Sequence, residues 1–238
     1  MTPTTRNLKA LGYIGAVAAG AALLLGSSLG HIVRGAHDKH LLAWAVLAVL
    51  TLVAGRLSVR LPLPSCIVSV SDALIVLTVL LCGPDLATLT GALDGFAASK
   101  RARGGWGKRI FNTASVALSV GLASRLYARL APQGGFNGPS AQVAVALLGL
   151  AVAQYAVNAL LVAGAVALSE WISPAAVLGN SLAWAGTCYL AGLLIASFVF
   201  LLTRKVGVVS ALAIVPAPLL LHVACRKALQ KTRATTGP

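Results

Sequence analysis

Acidic side chains are nearly absent from this sequence. Among 238 residues there are five, Asp38, Asp72, Asp85, Asp94 and Glu170, against 19 lysines and arginines. Charged residues of either sign make up 10% of the chain, whereas a soluble domain carries roughly a quarter. That shortage excludes an ordinary water-facing globular surface. A single glutamate is too few for most carboxylate-based lipid phosphatases. Cysteine is scarce too. Cys66, Cys82, Cys188 and Cys225 are scattered through apolar sequence without a C-x-x-C pair, which argues against a metal centre and for small buried side chains. His31, His37 and His40 share one loop in no known metal spacing, and His222 stands alone. No G-x-S-x-G elbow, H-E-x-x-H helix or Walker A loop occurs, and no residue pattern implies a cofactor.

What the chain has is apolar length. Hydrophobic residues make up 58% of it, in runs that recur from end to end. The reading is an all-α, polytopic integral membrane helical bundle. A single transmembrane domain fills residues 1–225, and a basic tail over 226–238 is expected to be disordered. The net charge of +14 sits in loops and ends. No nucleic-acid-binding module fits that distribution, so membrane lipids with anionic headgroups are the expected partners.

The runs cover 10–29, 41–55, a hairpin at 67–99, then 110–130, 141–168, 175–202 and 206–224, which amounts to six to eight transmembrane segments. The run at 41–55 is about 22 Å long as a helix, and the two halves of the hairpin are about 24 and 21 Å. All are short for a hydrocarbon core of ~30 Å. The hairpin therefore either crosses a thinned bilayer or is re-entrant, sheltered by protein or water. Pro62 and Pro64 exclude helix interior just before it, and Pro216 and Pro218 predict a kink in the last run. Gly26/Gly30 and Gly91/Gly95 have the spacing that permits close helix packing.

Lysine and arginine set the orientation. With a cytoplasmic N-terminus, the inside holds Arg6, Lys9, Arg56, Arg60, the five basic residues of 100–109, and Arg226, Lys227, Lys231 and Arg233. The outside holds Arg34, Lys39, Arg125, Arg129, Arg204 and Lys205. The imbalance predicts a bacterial cytoplasmic (inner) membrane protein with both termini cytoplasmic.

Carboxylates beside lipid-length apolar runs are costly and mark candidate sites. Three of the five acids lie in the hairpin. Asp85 follows the Gly83-Pro84 break and is expected to cap the second helix; if the first begins at Ser71 rather than at Ile67, Ser71 is its N-cap. Asp72 and Asp94, with Asn112 of the next run, fall near the cytoplasmic ends of consecutive segments. One reading is a ligand-binding pocket for a small cationic or hydrogen-bonding ligand, or a proton site. The other is local: Asp72 stabilises a helix N-terminus and Asp94 pairs with a neighbouring base. Gln154, Tyr155 and Asn158 form a second polar stripe, Gln154 and Asn158 sharing a face as i and i+4. They either bond between helices or line a cavity open to the hairpin, and Asn180, Ser181, Thr187 and Tyr189 decorate the segment that follows. No catalytic pair stands out. Asp94-Gly95-Phe96-Ala97 opens like a CDP-alcohol phosphotransferase motif, but no aspartate follows Asp94 to complete it.

Ser71-Asp72-Ala73, Gly83-Pro84, Ala92-Leu93-Asp94-Gly95, Ser99 and Phe111-Asn112 resemble a polytopic module that is found fused to bacterial HD-GYP and GGDEF signalling domains. Tyr155-Ala-Val-Asn158 and Tyr189-Leu-Ala-Gly192 extend the likeness, which covers roughly 56–202. The resemblance implies a non-enzymatic, sensor-type or ligand-binding membrane module. Only a short basic tail follows where that family carries its output domain, so signalling would run through a separate signalling subunit. The plan is also similar to substrate-binding subunits of vitamin-uptake transporters, in which small residues spaced like Ala18 and Ala22 dock a transporter-coupling subunit. A small transporter or transporter subunit using the same pocket is the alternative expectation.

Overall fold

The computed structural model describes residues 3–36, 40–55, 59–60, 67–68, 70–101, 105–131, 140–170 and 172–179, with positions 193, 194, 196, 197, 200 and 201. The expected last run, the basic tail, and Asn180, Ser181, Thr187 and Tyr189 lie outside the described residues.

The described chain is helical, as its periodicity and apolar length require. Helix α1 (Pro3–His31) runs into a π-helical turn (Ile32–Ala36) that kinks at Gly35, where φ is 78°. Helix α2 is Leu41–Ala54, α3 Val70–Cys82, α4 Pro84–Arg101, α5 Trp106–Leu130 and α6 Ser140–Glu170. Only a short ladder departs from all-α. β1 (Val59–Arg60) and β2 (Ile67–Val68) pair antiparallel, Val59 opposite Val68 and Arg60 opposite Ile67.

Among the described residues, two helices are long and apolar enough to cross a membrane, over Leu8–Gly35 and Ala141–Glu170. The apolar stretches Leu41–Ala54 and Ser71–Cys82 are shorter. At 14 and 13 residues, α2 and α3 reach only about 20 Å.

Gly83, at φ 85°, reverses the chain between α3 and α4. That left-handed conformation is strained for residues with a side chain, and Pro84 then starts the next helix at its favoured first position. Helix α3 is buried almost all round, with Ala73, Leu74, Ile75, Val76, Leu77 and Val79 in the core. It packs between α2 and α4, and Leu193, Ala196 and Phe200 join the same cluster. Trp44 pins α2 to α4: its indole N–H donates to the Leu86 carbonyl at 3.1 Å and to Thr90 Oγ1 at 3.0 Å.

Helix α5 is the hub. It packs along α4, α6 and α1. Its approach to α4 depends on Gly91 and Gly95. A Cβ at Gly95 would lie 2.6 Å from the Asn112 carbonyl oxygen, and one at Gly91 would lie 3.0 Å from Val120. The Gly26/Gly30 pair, with equal spacing, faces open space. Spacing alone therefore did not distinguish a helix contact from a free face. Buried hydroxyls on these apolar helices bond back to their own backbone: Thr51 to Leu47 O at 2.7 Å, Thr78 to Leu74 O at 2.8 Å and Thr88 to Pro84 O at 2.7 Å. Such bonds satisfy these hydroxyls inside an apolar bundle.

These contacts separate two glycine positions experimentally. Gly95→Ala forces a methyl group against the α5 backbone and is expected to cost about 1–3 kcal/mol. Gly26→Ala meets nothing and is expected to be neutral or slightly stabilising. Thermal unfolding of both variants in one detergent checks the contrast.

Candidate functional site

Antiparallel packing of α4 on α5 creates two polar levels, one near each end of the pair. From Asp85 to Asp94 is about 14 Å along α4.

At one level sit Ser71, Asp72 and Asp94. Ser71 lies inside α3 rather than capping it, and its hydroxyl donates to Asp94 Oδ2 at 3.4 Å. The expected N-cap role is thereby corrected: the helix starts a residue earlier, at Val70, and Ser71 is fully packed against the hairpin. Asp94 is 9% exposed. Its Oδ1 is buried and accepts no hydrogen bond. The Arg101 guanidinium lies 4.0 Å from that oxygen, which supplies charge without a directed bond. Arg101 reaches there past the end of α2, where a Cβ on Gly55 would come within 2.7 Å of Nη2. Asp72, in the first turn of α3, is within electrostatic reach of Asp94. Asn112 stands at the same level of α5, because its carbonyl abuts Gly95 next to Asp94. The three residues singled out on consecutive segments thus occupy one end of the α3–α4–α5 unit. Chemically this is a buried carboxylate with a loosely held cation beside it and a second carboxylate within electrostatic reach, suited to a cation or a hydrogen-bond donor.

The other level was not legible as a site. Asp85, expected to cap α4, instead lies in its first turn and spends its carboxylate on tertiary partners. Arg125 of α5 donates from Nη2 to Asp85 Oδ1 at 3.0 Å and to Ser28 Oγ of α1 at 2.9 Å. From Nη1 it donates to the Gly121 carbonyl at 3.1 Å and to Thr88 Oγ1 at 3.4 Å. His31 Nδ1, at the end of α1, lies 3.3 Å from Asp85 Oδ2. In the sequence Arg125 counts only among the outside bases and His31 only among the histidines of one loop. The available signal was positional: an acid opening one helix and a base closing the next meet when the two run antiparallel.

The α6 stripe lies apart from Asp94. Gln154 is 2% exposed and its Oε1 is buried without a hydrogen-bond partner. Tyr155 and Asn158 are half-buried. Leu161 accepts from the Tyr13 hydroxyl at 3.0 Å, and Tyr13 packs by Phe111. Gln154 is about 10 Å further along α6 from Leu161. It therefore sits roughly two turns from the Asn112 level, toward the Asp85–Arg125 end. Among the described residues no group of three or more His, Cys, Asp or Glu side chains is placed to hold a metal ion.

Breaking a buried ion pair strands the remaining charge. Arg125→Gln is expected to destabilise by about 3 kcal/mol, the low end of that class, because the Arg125 side chain is 28% exposed. Adding Asp85→Asn to it should recover part of the loss. His31→Ala should cost less than either single change, its side chain being 54% exposed. Unfolding midpoints of the four proteins in detergent measure this. Comparison of the chain with family models, with curated proteins and with solved structures found no match.

Proposed function

We propose that this chain is a non-enzymatic, multi-pass membrane module that binds a small cationic or hydrogen-bonding ligand at the Ser71–Asp72–Asp94 end of the α3–α4 hairpin, and that it serves as a sensor. One observation carries the reading: Asp94 keeps a buried carboxylate oxygen without a hydrogen bond, facing an arginine held at 4.0 Å, with a second carboxylate within electrostatic reach. In an apolar bundle such an arrangement is costly unless something uses it. A bound cation or donor would complete the coordination that Arg101 supplies only as distant charge.

The wider setting belongs to the same proposal. The chain crosses a bacterial cytoplasmic membrane six to eight times with both termini inside. The full-length apolar helices at Leu8–Gly35 and Ala141–Glu170 support membrane insertion. The burial of α3 on all sides supports a hairpin sheltered by protein rather than by lipid. The resemblance of the hairpin motifs to sensor modules points the same way.

A thermal-shift screen of small amines, amino acids and metabolite cations on purified protein tests the site. A true ligand raises the unfolding temperature of the wild type, and the rise is lost in Asp94→Asn and reduced in Asp72→Asn. If both variants keep the response, the pocket assignment is wrong. Uptake into proteoliposomes that vanishes in Asp94→Asn would replace the sensor by a transporter. Orientation has its own check: Gly105→Cys should resist a membrane-impermeant thiol reagent applied to intact cells and react after the membrane is opened.

A further inference from the structure

The guanidinium beside Asp94 reaches it from the end of the same helix. Arg101 is the last residue of α4 and follows Asp94 by two helical turns, about 10 Å along the axis. Helical side chains lean toward the N-terminus, so Arg101 can fold back along the face that carries Asp94. It does so against the preference of a cation at a helix end, which is to stay in water near the last carbonyls. The side chain is 32% exposed, and Nη2 stops 4.0 Å from Oδ1. A settled arginine–carboxylate pair closes to about 2.7–2.9 Å, often with two parallel bonds. Here the charge is in place and the hydrogen bond is not made.

A second element is shaped to this guanidinium. Helix α2 ends at Gly55, and a Cβ there would lie 2.7 Å from Nη2 and 3.2 Å from both Cζ and Nη1. The backbone at Gly55 is ordinary right-handed helix, with φ −60° and ψ −18°, so no turn requires glycine. What the missing side chain provides is room for the guanidinium. The field beside Asp94 favours a positive head over a neutral one, because Asp72 is a second carboxylate within electrostatic reach. It favours an N–H donor over a bare metal ion, because Oδ1 is a single open acceptor and the described residues hold no cluster of three metal-ligating side chains.

We propose that Arg101 is a displaceable latch on the Asp94 site: its guanidinium stands where the charged head of a small organic cation, an alkylammonium or alkylguanidinium, binds Oδ1, and Gly55 is the notch that admits it. The latch rests on the ligand-binding reading of Asp94. An entering cation donates to Oδ1 the hydrogen bond that Arg101 does not reach. Arg101 then withdraws to water and the last carbonyls of α4, where the helix dipole favours a cation. Its withdrawal empties the Gly55 notch, so occupancy of the site is coupled to the contact between the ends of α2 and α4. Arg101 is thus a competitor of the ligand rather than a part of its binding site.

The test uses the full chain in detergent with methylguanidinium chloride and methylammonium chloride as probes, against potassium chloride at equal ionic strength. Thermal unfolding gives the probe concentration for half-maximal stabilisation. A latch that fills the site about nine-tenths of the time weakens apparent affinity about tenfold. Arg101→Gln should therefore bring the half-point about tenfold below that of the wild type. Gly55→Ala should act in the same direction with the arginine still present, because it only crowds the guanidinium out. Lys100→Gln removes an equal charge from the neighbouring residue and should leave the half-point unchanged, which separates displacement from simple loss of repulsion. Asp94→Asn should abolish the response in each background. The latch is overturned if Arg101→Gln or Gly55→Ala binds the probes no more tightly than wild type, if Lys100→Gln tightens binding as much, or if no protein responds. Weaker binding in Arg101→Gln would make Arg101 part of the site, and the reading of Asp94 would stand without the latch. A response that survives Asp94→Asn would place the probes elsewhere and bring down both.

Discussion

The contact of Asp85 with Arg125 governs how the helices meet. A carboxylate inside an apolar bundle must find a cation or cost several kcal/mol. Arg125 reaches Asp85 only if α4 and α5 run antiparallel with the start of one beside the end of the other. The same guanidinium binds Ser28, which fixes the far end of α1 at that level. His31 adds a second contact to the carboxylate just before the chain kinks at Gly35. One ion pair thus sets the mutual register of three helices. Apolar packing alone sets it poorly, because one alanine- or leucine-rich face slides past another with little penalty.

That register has a consequence at the opposite end. With Asp85 matched to Arg125, Gly95 falls against Asn112 and Asp94 is carried inward beside Ser71, within electrostatic reach of Asp72. Among the described residues the cation paired with Asp94 is Arg101, from the end of α4 itself, and it stops at 4.0 Å. The two carboxylate levels of α4 are therefore unequal. Asp85 is fully engaged and structural. Asp94 is under-coordinated, buried and next to a second acid, which is why the functional reading rests on it.

Much of this was readable in the residues. The helical, apolar character, the reversal at Gly83-Pro84 and the unbroken helix beginning near Ala141 follow from apolar length and from the few residues that interrupt it. The prominence of Asp72, Asp94 and Asn112 came from the rarity of acids, and all three do lie at one end of the α3–α4–α5 unit. Capping roles read from local rules failed for both Ser71 and Asp85. A buried polar side chain near a helix start is drawn to whichever partner relieves its burial most, and here those partners sit on other helices. Small-residue spacing failed in the same way. Gly91 and Gly95 meet α5, while Gly26 and Gly30 meet nothing, because spacing describes a surface and not what lies opposite it.

The sequence by itself determined the class of molecule: helical, apolar, poor in acid, with a broken hairpin carrying three of its five carboxylates. Composition and run length act residue by residue, so they survive without knowledge of neighbours. Only the tertiary structure decided which acid is neutralised and which is left wanting. That choice depends on distances between residues far apart in the chain, such as Asp85 and Arg125, and those distances exist only once the helices are packed.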